Sequence, residues 1–176
     1  RSELAASGID LPIYFGNRNW EPFVTDTVAR MRADGVKRVL VFVTSALSSY
    51  SGCRQYREDV IRAIETVGEG APEFDKLRVF YNHPGFIEPM ISLTAAALSE
   101  IPRERRDTTR LIFTAHSIPT AMARHCAYET QLREASRLVA EGIGFSSYRI
   151  CYQSRSGSPR VPWLEPDISD VLDQVA

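Results

Sequence analysis

Short runs of β-branched and aromatic residues alternate along this chain with longer stretches of helical period, and that alternation leaves few architectures open. Leu11–Phe15 (LPIYF) reads as a strand stopped by Gly16. Val24, Val28 and Met31 fall at helical spacing within Phe23–Ala33, and Asp34-Gly35 closes that helix. Arg38–Thr44 (RVLVFVT) is a nearly continuous apolar run, the pattern of a strand covered on both faces. A Ser-rich loop, Ser45–Gly52, leads into a helix from about Gln55 to Val67. Leu77–Tyr81 is read as the next strand, and Phe86–Leu98 as a helix with Pro89 in its first turn. Strands at Leu111–Ala115 (LIFTA) and Tyr148–Tyr152 flank a helix over Glu129–Gly142, and Asp167–Val175 begins another helix. The expected class is α/β, built of parallel βαβ units with helices on both faces.

Length and charge narrow the class of function. At 176 residues the chain fits one medium domain or two small lobes. The polar stretch Ile101–Thr109 (IPRERRDTT) is the one plausible lobe boundary, and the piece after it has too few strands for an independent sheet. The chain reads as the middle of something larger. Lys and Arg number 21 against 22 Asp and Glu, so no broad basic face for nucleic acid is expected. No apolar run approaches the roughly 20 residues of a membrane span, and the Arg-Ser-Glu-Leu-Ala-Ala opening does not read as a signal peptide. Cys53, Cys126 and Cys151 are odd in number and far apart, which favours a reducing, cytoplasmic setting over a disulfide framework.

Ligands of open parallel sheets bind beyond the carboxyl ends of the strands. Four loops expected there are rich in polar or aromatic residues: Gly16–Trp20, Ser45–Tyr56, His116–Pro119 and Gln153–Trp163. His116 ends an apolar strand, where a neutral imidazole can bind a borderline metal or accept a proton near pH 7. It can equally cap the next helix or bond a backbone carbonyl. His83, before Pro84 at a strand exit, and His125, inside a helical turn, are less well placed. HExxH, CxxC, paired-His and glycine-rich phosphate signatures are absent, and Ser117 lacks the elbow motif of a nucleophilic serine.

The segments YFGNRNWEPF (Tyr14–Phe23), SSYSGCRQY (Ser48–Tyr56), FTAHSIP (Phe113–Pro119) and QSRSGSPRVPWLEPD (Gln153–Asp167) together resemble the ferrochelatases, and most closely the actinobacterial type that acts on coproporphyrin III. The resemblance covers essentially the whole chain in the family's order. It implies two Rossmann-like lobes with parallel sheets and a cleft between them. Residues 1–104 then form part of the first lobe and residues 105–176 the start of the second, both incomplete.

The same resemblance implies insertion of ferrous iron, as substrate, into coproporphyrin III in haem biosynthesis. Such a reaction removes two pyrrole protons, strips water from the iron and bends a flat macrocycle. His116 matches the family's cleft histidine, an iron ligand and acceptor of pyrrole protons; with one nitrogen it does one of these at a time. Arg18 aligns with a basic residue near the cleft, where a guanidinium can hold a carboxylate bidentately; a surface arginine or a loop-to-backbone hydrogen bond is the ordinary alternative. Tyr56 matches a tyrosine contacting the iron porphyrin, and Trp163 a tryptophan lining the pocket; core packing is the ordinary alternative for both. Asn19 stands where relatives carry tyrosine or histidine. Cys53 lies in the region that supplies one ligand of a [2Fe–2S] cluster in many relatives. A cluster needs four thiolates, so it is expected only in a longer chain, and Cys151 reads as a small buried hydrophobe. Relatives carry a glutamate facing the histidine from a motif that this chain lacks. Without it, a non-catalytic tetrapyrrole- or metal-binding module is the alternative, and incomplete lobes invite self-association. A nucleotide-binding α/β enzyme is a further alternative, for which only Gly16 follows the first strand.

Overall fold

The computed structural model describes residues 2–174. Helices and short strands alternate as α1 (Ser2–Ala6), α2 (Val24–Ala33), β1 (Arg38–Val41), α3 (Gln55–Val67), β2 (Glu73–Lys76), α4 (Pro84–Glu100), β3 (Ile112–His116), α5 (Thr120–Ala123), α6 (Tyr128–Gly142), β4 (Arg149–Gln153) and α7 (Ile168–Asp173). A single π-helical turn, Tyr50–Arg54, runs directly into α3, and a 3₁₀ segment, Arg103–Thr108, precedes β3. The α/β class holds: β1 pairs with β2 and β3 with β4, both in parallel, each pair joined through helix as a βαβ unit.

Two compact units result. One is built from the chain up to Thr44 together with Cys53–Arg78, the other from Ser45–Gly52 together with the chain from Val79 onward. In the first, α2 and α3 pack on each other and bury Val28, Met31 and Ala63. In the second, α6 presents Tyr128 and Leu132, four apart and so on one helical face, to Tyr152 of β4. Leu47, Ala115, Ile118 and Leu164 close around that cluster. Further along α6, Gly142 lets α4 come close. A Cβ there would stand 2.7 Å from Cγ1 of Ile91.

Several expected elements lie elsewhere. Leu11–Phe15 is not a strand, because no neighbouring strand pairs with it among the described residues. It runs instead along α2, where the Thr27 hydroxyl donates to the Phe15 carbonyl at 2.9 Å and Tyr14 donates to Asp34 at 2.8 Å. Gly16 fits this path through close approach: a Cβ would meet Thr27 Oγ1 at 3.0 Å. The strand expected at Leu77–Tyr81 is instead the charged Glu73–Lys76, whose register sets Arg38 opposite Glu73 and Arg38 Nε 2.6 Å from Asp75. Leu77 N–H closes the ladder on Val41 and the chain leaves. With one partner strand, β1 stops at Val41, and Leu40 and Phe42 are each 59% exposed rather than covered. Helix α4 starts before Phe86, with His83 Nδ1 accepting from Gly85 N–H and Pro84 in the first turn, so Pro89 falls inside it. His83 is therefore a helix cap rather than a strand-exit residue. Of the last expected helix, Ile168–Asp173 is formed with Asp167 capping Ser169 N–H, and Val175 lies outside the described residues.

Candidate active site

The second unit brings together the His116–Pro119 and Gln153–Trp163 loops and the Ser45–Gly52 part of the Ser-rich loop. His116 is the last residue of β3 and stands opposite Gln153, the last of β4. Beyond the sheet the two exits stay tied. Ser117 N–H donates to the Gln153 carbonyl (2.8 Å), Leu164 N–H to Ile118 (3.0 Å) and Thr120 N–H to Pro162 (2.9 Å), while Pro119 and Trp163 form an antiparallel bridge. The Ser117 side chain, in a residue only 1% exposed, donates to the Leu164 carbonyl at 2.8 Å. The Ser-rich loop joins through α6: Gln131 Oε1 accepts from Ser48 N–H (2.7 Å) and Ser48 Oγ (2.8 Å). Gly52 closes that loop so tightly that a Cβ would run into Ser45 Oγ.

His116 is exposed at this edge. Its Nδ1 lies 2.6 Å from the Ser117 carbonyl oxygen. A carbonyl can only accept, so Nδ1 carries the hydrogen and, in the neutral ring, Nε2 carries the lone pair. The ring is thereby fixed in the tautomer that leaves one basic nitrogen for a proton or a metal. Behind it the Tyr128 hydroxyl donates to the His116 carbonyl at 2.9 Å. Burial first, and the neighbouring Tyr152 and Cys126 next, push the Tyr128 phenol up to about 12, so it remains a donor at neutral pH.

Trp163 is half-buried, and its indole N–H is shut from solvent with no hydrogen-bond partner among the described residues. A desolvated, unpaired donor costs about 1–3 kcal/mol, which the packing of the Trp163 ring offsets.

Arg18 and Tyr56 meet in the first unit. The Arg18 guanidinium lies 5.0 Å above the Tyr56 ring centroid, and Nε donates to Asp59 at 2.5 Å, both side chains 16% exposed. Asp59 also accepts from Arg62. Arg18, Asp59 and Arg62, with Asn17, Phe23, Val24 and Thr25, line a concavity of about 110 Å³. That is below the roughly 300 Å³ at which small-molecule pockets begin, so it can grip a carboxylate but not enclose a macrocycle. Nε of Arg18 is committed to Asp59, and the planar fork retains its Nη donors for an anion.

Cys53 lies half-buried in the π-helical turn, Cys126 Sγ faces the Met122 and Ala123 carbonyls, and Cys151 is fully buried with Sγ on the Phe113 carbonyl. Burial raises the Cys151 thiol pKa, consistent with a packed hydrophobe. Three thiols held this way do not fit a [2Fe–2S] cluster, and no group of three or more His, Cys, Asp or Glu among the described residues is gathered for a metal. His125 is exposed after α5. No helix among the described residues is long and apolar enough to cross a membrane.

Sequence reading missed Ser117 as a clamp, and Tyr128 and Gln131 as partners of the loops. Tyr128 and Gln131 are three apart and share a face of α6, which was visible; that this face backs His116 and Ser48 is a tertiary fact.

The ferrochelatase family model matches residues 1–176. The ferrochelatase of Rhodopirellula baltica is 54% identical over 173 residues, covering 97% of this chain and 48% of its own length. The coproporphyrin III ferrochelatases of Nocardia farcinica and Streptomyces coelicolor are 51% and 45% identical, each over 99% of this chain and 52% and 51% of their own lengths. The chain thus spans about half the length of the curated relatives it matches. An α/β chain with a solvent-facing histidine at the β3 exit, matched from its first residue to its last, belongs to the ferrochelatase family.

Proposed function

We propose that the whole protein inserts ferrous iron, its substrate, into a porphyrin, coproporphyrin III, in haem biosynthesis. The observation that carries this reading is the exposed His116 ring with Nδ1–H committed to the Ser117 carbonyl, which leaves Nε2 to take iron or a pyrrole proton. By family resemblance Arg18, which keeps its Nη donors beside Tyr56, suits a propionate, and the Trp163 ring a face of the macrocycle. Relatives named for coproporphyrin III favour that porphyrin over a less acidic one. On the same reading the two lobes divide near residues 104 and 105, the setting is the cytoplasm, and exposed Leu40 and Phe42 favour self-association when this segment stands alone. Cys53 is at most one ligand toward a [2Fe–2S] cluster completed by polypeptide beyond this chain, and no step depends on it.

Anaerobic addition of Fe(II) and coproporphyrin III to the whole protein tests the proposal through the appearance of a haem spectrum. His116→Ala is expected to lower the insertion rate at least about 100-fold while still shifting the porphyrin's Soret band. Insertion at the unaltered rate would refute the role of His116. A Soret shift with no haem in the unaltered protein would instead support a non-catalytic tetrapyrrole-binding module.

A further inference from the structure

The peptide joining His116 to Ser117 is gripped at both edges. Its N–H donates to the Gln153 carbonyl at 2.8 Å, and its C=O accepts from the Tyr128 hydroxyl at 2.9 Å. The imidazole hangs from the first residue of this peptide and bonds, through Nδ1, to the carbonyl of the second. That short contact depends on the backbone angles at Ser117 and the side-chain angle of His116, so a peptide free to tip cannot hold it. The sheet supplies one of the two grips. The other comes from the first turn of α6, twelve residues along the chain.

We propose that Tyr128 is a positioning residue for His116, its hydroxyl fixing the His116–Ser117 peptide so that the ring keeps its hydrogen on Nδ1 and presents Nε2 as the working nitrogen. The inference rests on the reading of His116 given above. Packing alone does not explain the phenol. The ring of Tyr128 meets Leu132 and Tyr152, a place phenylalanine fills equally well. A hydroxyl in a side chain 7% exposed needs an acceptor, and the one it takes is the carbonyl of the histidine itself. Burial keeps the phenol protonated at neutral pH, so the hydroxyl is a donor there.

The test joins nuclear magnetic resonance of the imidazole nitrogens of His116, in the whole protein at a pH where the ring is neutral, to steady-state kinetics. The unaltered protein is expected to show the Nδ1–H tautomer. Tyr128→Phe is expected to admit a measurable Nε2–H population and to lower kcat about tenfold, with KM for porphyrin within about twofold. Val139→Ala, a buried change three turns along α6, serves as the structural control and is expected to move neither tautomer nor kcat. An Nε2–H tautomer in the unaltered protein overturns the proposal, as does a Tyr128→Phe protein with unchanged tautomer and kcat, or a control that reproduces both changes. Should Tyr128→Phe not fold, 3-fluorotyrosine at position 128 keeps shape and hydroxyl while altering the donor. A displaced His116 nitrogen resonance then supports the proposal and an unmoved one refutes it. The resonance measurement does not require turnover, so a protein that inserts no iron would count against the proposed function and leave Tyr128 to be judged on the tautomer alone.

Discussion

Ser117→Ala removes one oxygen from the most enclosed point of the edge where His116 stands. The hydroxyl belongs to a residue 1% exposed and donates to the Leu164 carbonyl at 2.8 Å. Loss of one oxygen leaves too little space for a significant cavity, so the cost is electrostatic. A neutral hydrogen bond contributes about 1 kcal/mol net, and an acceptor stranded in a half-buried strand exit adds to that, for about 1.5–2.5 kcal/mol in all. For a domain of this size such a loss lowers a urea midpoint by about 1 M at unchanged slope. The chain's two tryptophans make the measurement local. Trp20 is 78% exposed and lies in the first unit, whereas Trp163 sits in the loop that Ser117 clamps. In a Trp20→Phe background, indole emission reports the second unit alone, so two units unfolding separately do not blur the result. A midpoint moved by less than about 0.2 M would refute the assignment of Ser117 as the tie between the two strand exits.

Gly142→Ala is expected to destabilise by about 1–2 kcal/mol, because its Cβ would intrude on Cγ1 of Ile91 at 2.7 Å. In an Ile91→Ala background the sign should reverse to a gain of about 0.5–1 kcal/mol from helix propensity; denaturation midpoints of the four proteins check it, and simple additivity would be the failing result. Alkaline titration tests Tyr128. Its folded pKa is raised to about 12 from an ordinary value of 10.0, so the contribution is full below pH 10 and is lost as pH rises through 12. Stability should fall across that window, and Tyr128→Phe should flatten the fall by about 1 kcal/mol per pH unit; an unchanged slope would contradict the burial of the phenol.

Periodicity located α3 to the residue and α6 to within one, because each carries an apolar face long enough to outweigh local competition. It placed His116 at a strand end for the same reason: LIFTA is apolar, and the next residues break the run. Strand pairing was not legible. Leu11–Phe15 and Leu77–Tyr81 have the composition of strands, yet a strand exists only by virtue of a neighbour, and β1 found its neighbour in Glu73–Lys76. The helix expected from Phe86 starts two residues earlier, at Pro84, because the His83 side chain caps it there. His116 was legible from its place at a strand end, and Arg18, Tyr56 and Trp163 took their roles from motif resemblance, whereas Ser117, Tyr128 and Gln131 act through bonds between distant segments that no local pattern encodes.

The Nδ1–H of His116 points at an oxygen that has no proton to give and cannot keep one. The ring is therefore a chamber with a single door: whatever enters at Nε2 leaves at Nε2. No relay can carry a hydrogen ion through this imidazole into the interior, as happens where the inner nitrogen faces a carboxylate. On the proposed function, iron and a pyrrole proton would have to use that doorway in turn.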